Sequence, residues 1–308
     1  MKLILKNTVI LLIVLSTLLG VSCARALPEY TVTYVYGDER ENTVKTYRFG
    51  SLADKEAPER EGYEFVGWCT NKDLTNFYDF ANPVKTNTVL YAKWDIDYKE
   101  LLEKANSKAV SASVKIVVPG FFGSSQGSGV IYKNVGKYWY AFTNDHVLTS
   151  QNSTPGTIYA YDSNGKEYSA SLVKKSSEYD LAVIKIYAPS TPPFEVMNVE
   201  NRIPGENETL LTVSTPGGQY NTVNLGNASW YGKLNETLAS NAESDVDFEV
   251  LWISGDAEHG SSGGAVYDTD LDIIGIIYAI ATSKEGDEEY ILAIPASKIL
   301  EFISDIEY

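Results

Sequence analysis

Beyond residue 110 the chain carries its apolar residues in short runs, at 113–118, 129–132, 138–143, 157–161, 181–186, 210–213, 273–280 and 290–294, separated by segments rich in Gly, Pro, Asn and Asp. Runs this short, with turn residues between them, fit strands better than helices, so a mainly β fold is expected, a barrel or sandwich of about 200 residues. A helix is expected only at the end, where Pro295-Ala296-Ser297 opens a turn running through Ile299 and Phe302.

A second, smaller unit precedes this one. Tyr30-Thr31-Val32-Thr33-Tyr34-Val35-Tyr36 alternates at the strand period and is followed by the turn signal Gly37-Asp38. Tyr98, Leu101, Leu102 and Ala105 recur at three and four residues with charges between them, which predicts one short amphipathic helix at the joint of the two units. With 308 residues, 44% of them hydrophobic, the chain has material for more than one core. Its net charge of −16 repels phosphate backbones and anionic lipid, so nucleic acid is excluded as a partner.

The first residues have the layout of an export signal: Lys2 and Lys6, an apolar stretch from Val9 to Leu19 too short for a membrane span, then small residues. Ala24-Arg25-Ala26 fits ordinary signal peptidase, whereas Gly20-Val21-Ser22-Cys23 resembles a bacterial lipobox, with Gly20 where Leu is usual. The expectation is a lipoprotein-type signal over 1–22, acylation of Cys23 and a lipid anchor on the outer side of the bacterial cytoplasmic membrane. Simple secretion after cleavage is the alternative. Only Cys69 remains besides, so a disulfide scaffold is not expected.

Candidate chemistry centres on Glu258-His259-Gly260-Ser261-Ser262-Gly263-Gly264-Ala265-Val266. Gly and Ser dominate ordinary turns, so this stretch alone does not imply reactivity. A serine hydroxyl needs a base within hydrogen-bond reach, and the base works best when a carboxylate fixes its tautomer. The chain has two histidines. His259, three residues before Ser262, would have to fold back across its own turn. His146 follows the apolar run Tyr140-Ala141-Phe142-Thr143, and Asp180 directly precedes Leu181-Ala182-Val183-Ile184. Each alone reads as structural. Together they stand in the order His, Asp, Ser, at spacings of 34 and 82 residues, enough chain for the first two to lie in one barrel and the serine in the next.

Two resemblances extend this reading. Glu61-Gly62-Tyr63-Glu64-Phe65-Val66-Gly67-Trp68, Tyr78-Asp79-Phe80 and Thr88-Val89-Leu90-Tyr91-Ala92-Lys93-Trp94 resemble the Listeria/Bacteroides-type B-repeat, which implies a small β-grasp-like surface module over 30–94, Gly67 and Trp68 serving its core. A spacer or weak adhesion role, with a cell-surface ligand, is what that implies. Gly127-Ser128-Gly129-Val130-Ile131, Thr143-Asn144-Asp145-His146-Val147, Asp180-Leu181-Ala182-Val183-Ile184-Lys185 and Gly260-Ser261-Ser262-Gly263-Gly264 resemble the HtrA branch of the trypsin-like proteases. The implied fold over 110–308 is a chymotrypsin-like double β-barrel, after a linker with a short helix at 95–109.

That second resemblance implies that Ser262 is the nucleophile, His146 the base, Asp180 its orienting group, and the N–H groups of Gly260 and Ser262 the oxyanion hole. It implies a serine endopeptidase acting on protein or peptide substrates through an acyl-enzyme, without cofactor, metal, zymogen cleavage or a PDZ domain. A protease-fold surface-binding protein without catalysis is the alternative. Substrate preference stays open. Asp256 stands six residues before Ser262, as an acidic pocket floor would, but Ser254-Gly255-Asp256-Ala257 also resembles an HtrA loop in which the aspartate is no floor and small apolar residues are preferred. His259 would then sit at the pocket rim, where it could recognise acidic side chains, and Tyr278 would line the wall. Asp268-Thr269-Asp270-Leu271-Asp272 hints at a calcium loop, but Ile273 stands where glycine is required, so a hairpin turn is expected.

Overall fold

In the computed structural model, residues 26–120, 123–149, 157–190, 192–216, 222–234, 239–240, 246–255, 259–283 and 288–308 are described. The export signal with Cys23, and Asp256, lie outside them. The chain divides between Asp97 and Tyr98 into two compact units.

In the first unit, β1 (Glu29–Val35), β2 (Thr43–Arg48), β3 (Tyr63–Cys69) and β4 (Thr88–Ile96) form one sheet in the order β2-β1-β4-β3. The central β1–β4 pair is parallel and both outer pairs antiparallel, a β-grasp-like arrangement. Val32, Tyr34, Leu90, Ala92 and Trp68 fill one face, covered by loop residues Ala53, Tyr78, Phe80 and Val84. Tyr34 and Trp68 are buried and Trp94 half-buried, with their polar tips satisfied: Tyr34 donates to the Asp54 carbonyl at 2.8 Å, Trp68 Nε1 to the Glu56 carbonyl at 2.8 Å and Trp94 Nε1 to the Tyr36 carbonyl at 2.7 Å. Trp68 is therefore a core residue, and Cys69 is a buried free thiol.

The second unit opens with α1 (Tyr98–Lys104), which runs on through a π-helical segment, Ala105–Ala109, and a last turn, Val110–Ala112. Periodicity marked the helix only to Ala105. Its continuation buries Ala105, Ala109 and Ala112, residues too small to register as an apolar stripe.

The strands that follow are β5 (Ser113–Gly120), β6 (Gly123–Val135), β7 (Tyr138–Thr143), β8 (Ile158–Tyr161), β9 (Glu167–Ser176) and β10 (Leu181–Tyr187). They close into a barrel in the order β10-β7-β6-β5-β8-β9. Val114, Ile116, Ile131, Ala141, Ile184 and Ile186 fill its interior, each large aliphatic contributing about 1.5–3 kcal/mol of burial.

The second group comprises β11 (Thr209–Ser214), β12 (Thr222–Gly232), β13 (Ala239–Ser240), β14 (Val250–Ser254), β15 (Ala265–Tyr267), β16 (Ile273–Ser283) and β17 (Glu289–Pro295). The order β16-β15-β11-β12-β14-β17 closes through a β16–β17 pairing, and β13 adds to β16, so the unit is a chymotrypsin-like double barrel. A helix, α2 (Ala296–Ile303), ends it as expected. Five strands of this unit escaped the periodicity reading. β9 leaves much of its length exposed, β13 has two residues and β15 three, β14 is short, and β12 contains Asn224, Gly226 and Asn227. A side chain at Gly226 would stand 2.5 Å from the Ser254 carbonyl oxygen, so glycine is what lets β12 approach β14.

Candidate active site

Strand register brings the first two site residues together. β7 ends at Thr143, and Asn144, with extended backbone, starts a single helical turn, Asp145–Leu148, that carries His146. β10 runs antiparallel to β7 with Ala182 opposite Thr143, which sets the residues before Ala182 beside those after Thr143. Asp180 takes a left-handed φ of +47°, a conformation that aspartate tolerates better than most residues. Its carbonyl accepts from Asn144 Nδ2 at 2.8 Å. Its two carboxylate oxygens are divided between one partner residue: Oδ2 lies 2.8 Å from His146 Nδ1, and Oδ1 accepts the His146 backbone N–H at 3.1 Å. A carboxylate only accepts, so this contact places the ring proton on Nδ1 and leaves Nε2 as the acceptor.

The helical turn is itself anchored. Asp145, whose side chain is buried, pairs with Lys175 Nζ at 3.0 Å, and its carbonyl accepts from Thr149 Oγ1 at 2.9 Å.

Ser262 lies in the turn that leads into β15 of the second barrel. Gly260 has φ +101° and Gly263 φ +85°, both in the left-handed half of the map. At Gly263 a Cβ would stand 2.0 Å from the Ser128 carbonyl oxygen, so the turn closes against the first barrel through a position open only to glycine. Gly263 N–H donates to the Ile277 carbonyl, Ile277 N–H to that of Gly264, and Gly264 N–H to that of Ser261, each at 2.8 Å. Among the described residues, the N–H groups of Gly260 and Ser262 donate no hydrogen bond.

His146, Asp180 and Ser262 all line one cleft of 760 Å³, together with Asp145, Lys175 and Ser177 of the first barrel and His259 and residues 277–280 of the second. His259 is exposed on the cleft wall, away from the His146–Asp180 pair in sequence and held in the turn. Tyr278 is buried and lines the same cleft. Beneath the turn lies a layer of buried hydroxyls, Ser261 together with Ser128, Thr143, Ser214 and Thr215, the last four passed over as site residues by pattern reading. Asn144 and Lys175 were likewise passed over as site residues. The flanking glycines of Gly127-Ser128-Gly129 are the one local signal, since they mark a close approach: a Cβ at Gly127 would meet Val147 at 2.7 Å and the Ser262 carbonyl oxygen at 3.1 Å.

The trypsin-like peptidase domain family matches residues 127–276, and the Listeria-Bacteroides repeat domain family matches residues 30–93. The serine protease Do-like HtrA of Lactobacillus helveticus is 28% identical over 190 residues, 59% of this chain and 43% of that protein. Serine protease HTR4 of Rattus norvegicus is 31% identical over 184 residues, 59% of this chain and 34% of that protein. The chain thus spans less than half the length of these relatives. Among solved structures, the serine endoprotease from Yersinia pestis superposes with a TM-score of 0.51 at 28% identity, covering 67% of each chain. The active form of the Rv3671c protease of M. tuberculosis superposes with a TM-score of 0.53 at 18% identity, over 66% of this chain and 82% of that one, a likeness of fold.

Proposed function

Residues 127–276 of this chain are a trypsin-like peptidase domain and residues 30–93 a Listeria-Bacteroides repeat, and from that premise we propose that the protein is a serine endopeptidase working through His146, Asp180 and Ser262. The observation that carries this reading is the double hold of Asp180 on His146, at Nδ1 and at the backbone N–H, in the cleft that Ser262 also lines.

Ser262 Oγ attacks the carbonyl carbon of the scissile bond while His146 Nε2 takes its proton. Asp180 keeps the ring in the tautomer with a bare Nε2 and offsets the charge of the imidazolium that forms. The tetrahedral oxyanion accepts from the N–H groups of Gly260 and Ser262, the donors left unengaged in the turn. Collapse expels the amine with the proton from His146, leaving Ser262 acylated. A water deprotonated by His146 then cleaves the ester and restores the hydroxyl.

The substrate is an extended peptide. β15 leaves β16 at Ile276, and the Ile277 backbone is taken by Gly263 and Gly264. β13 joins β16 only at Thr282. Between them, among the described residues, Ala279–Ala281 pairs with a strand on its β17 side alone, so its other edge offers a ladder in the cleft that Ser262 also lines, to which a peptide adds. His259 and Tyr278 stand where the side chain before the cleaved bond would be read. Export, acylation of Cys23 and a surface ligand for the repeat complete the reading, which is supported by the Lys2, Lys6 and Val9–Leu19 leader and the Gly20-Val21-Ser22-Cys23 stretch. Two experiments test it: cleavage of an unfolded protein by the wild type and not by Ser262→Ala, and metabolic labelling with a fatty-acid analogue, lost in Cys23→Ser. Cleavage surviving in Ser262→Ala refutes the enzymatic part, and an unlabelled mature chain starting at Leu27 refutes the anchor.

A further inference from the structure

Among the described residues, the nucleophile turn hydrogen-bonds to the first barrel through Ser128 of β6. Ser128 is fully buried and bonds the turn with both its backbone and its side chain. Its N–H donates to the Ser262 carbonyl at 2.7 Å, its hydroxyl to the Gly260 carbonyl at 2.7 Å, and its own carbonyl accepts from Thr143 Oγ1 at 2.8 Å. A hydroxyl has one proton and two acceptor positions. Thr215 N–H donates to Ser128 Oγ at 2.8 Å, and Thr215 Oγ1, 3.0 Å from Ser128 Oγ, also reaches the Gly127 carbonyl at 3.3 Å. The Gly260 carbonyl can only accept and at 2.7 Å is nearer to Ser128 Oγ than Thr215 Oγ1 at 3.0 Å, so it takes the Ser128 proton.

That contact bears on the amides facing the cleft. Gly260, at φ +101°, has no side chain to hold its peptide planes, and glycine crosses to other regions of the map at little cost. Ser261 is fixed separately, its Oγ accepting from Ser214 Oγ at 3.1 Å in the buried layer. The remaining freedom of the turn is rotation about Gly260, and the Ser128 hydroxyl is the group that restrains it. We propose that Ser128 is a positioning residue for the oxyanion hole, holding the Gly260 carbonyl from below so that the Gly260 and Ser262 N–H groups face the developing charge. This role rests on the serine endopeptidase reading above.

The test compares the full chain with Ser128→Ala and Ser128→Cys, measuring kcat and KM on a peptide substrate, the pH profile of kcat, and inhibition by a peptide aldehyde. Ser262 adds to the aldehyde carbonyl to give a hemiacetal whose oxyanion occupies the hole. Ser128→Ala is expected to lower kcat about 100-fold, the scale of losing one oxyanion donor. KM should stay within about twofold, and aldehyde affinity should fall by a factor similar to kcat. The pH profile should not move, because the His146–Asp180 pair is untouched. Ser128→Cys should fall between, its thiol being a weak donor, and it decides the matter if Ser128→Ala does not fold. A folded variant with kcat within twofold of wild type, a loss carried by KM, or a displaced pH profile overturns the role. A wild-type chain that does not turn over overturns the endopeptidase reading and this role with it. Turnover by wild type with unimpaired variants overturns the role of Ser128 alone.

Discussion

The Tyr179 hydroxyl donates to Glu301 Oε1 at 2.8 Å, joining the residue immediately before Asp180 to the C-terminal helix α2. The Tyr179 ring lies 6.0 Å from both Phe248 and Phe302, and Lys174 Nζ donates to the Phe302 carbonyl at 2.6 Å. Glu301 holds the phenol above its ordinary pKa, since ionising it would set two negative charges face to face. Helix α2 thus braces the segment that delivers the Asp180 carboxylate to His146. Tyr179→Phe should cost no more than about 1 kcal/mol, the hydrogen bond being solvent-exposed. Tyr179→Ala, which also removes the ring packing, should lower kcat about tenfold at constant KM, because Asp180 at φ +47° loses its brace. Steady-state kinetics and thermal melts of both variants check this.

Asp180→Asn tests the tautomer. An amide in place of the carboxylate can present its NH2 to Nδ1 and strand the ring proton on Nε2, where it blocks attack. A drop in kcat of about 10⁴-fold is expected, the scale seen when a triad carboxylate becomes an amide. The structure should be retained, because Asn144 still bonds the backbone carbonyl at position 180. Kinetics together with near-UV circular dichroism separate lost chemistry from lost fold.

Gly263→Ala should be among the most destabilising single substitutions in the second unit. The new methyl would stand 2.0 Å from the Ser128 carbonyl oxygen and 2.6 Å from Thr143 Oγ1, on backbone with φ +85°. Overpacking and backbone strain each cost about 1–3 kcal/mol. Urea unfolding should show a lower midpoint, and activity should be lost with it.

A part-buried ion cluster ties the segment before β11 to the β15–β16 turn. Arg202 donates to Glu208 Oε1 at 2.5 Å and to Asp268 Oδ2 at 3.1 Å, while Asp268 Oδ1 accepts the N–H groups of Asp270 and Asp272. The acidic stretch is accordingly the hairpin turn expected from its residues. Arg202→Met leaves the Asp268 side chain, 4% exposed, without its guanidinium, and should cost about 3 kcal/mol. Burial pushes the Glu208 carboxyl up, but Arg202 and the Gly205 N–H outweigh it and hold its pKa below the ordinary value. Its stabilising effect is therefore present above the unfolded carboxylate pKa, about 4.3, and lost as pH falls through the lower folded value. The stability gap between wild type and Glu208→Gln should be open at neutral pH and close on acidification, as urea titrations at several pH values would show.

His146, Asp180 and Ser262 were legible as candidates because two histidines make a short search, and because Asp180 and His146 each border an apolar run long enough to read as a strand. Ser128, Asn144 and Thr215 were not, for a physical reason. Ser, Thr and Asn are common turn residues, and what distinguishes these three are contacts across 132, 36 and 87 residues of chain. Strand pairing, not local pattern, creates such contacts. The strands that escaped notice fail in the same way: β12 is held by its register with β11 and β14, although Asn224, Gly226 and Asn227 weaken its local preference. Two β units, one small and one a barrel or sandwich, were readable from alternation and turn spacing, and only the resemblances implied the β-grasp-like and double-barrel arrangements, whereas the helix through Ala112 was not readable, because three alanines form its buried side.

The central claim is that Ser262 is a nucleophile activated by His146. Its most direct measurement is labelling of the folded chain with a fluorophosphonate, followed by mass spectrometry of the peptide spanning residues 259–283. The account predicts one phosphonyl adduct on Ser262 in the wild type, none in Ser262→Ala, and labelling slowed by at least about 10³-fold in His146→Ala, which lacks the general base. A folded wild-type chain that takes up no label, or one that carries it on Ser261 or with equal speed in His146→Ala, would contradict it.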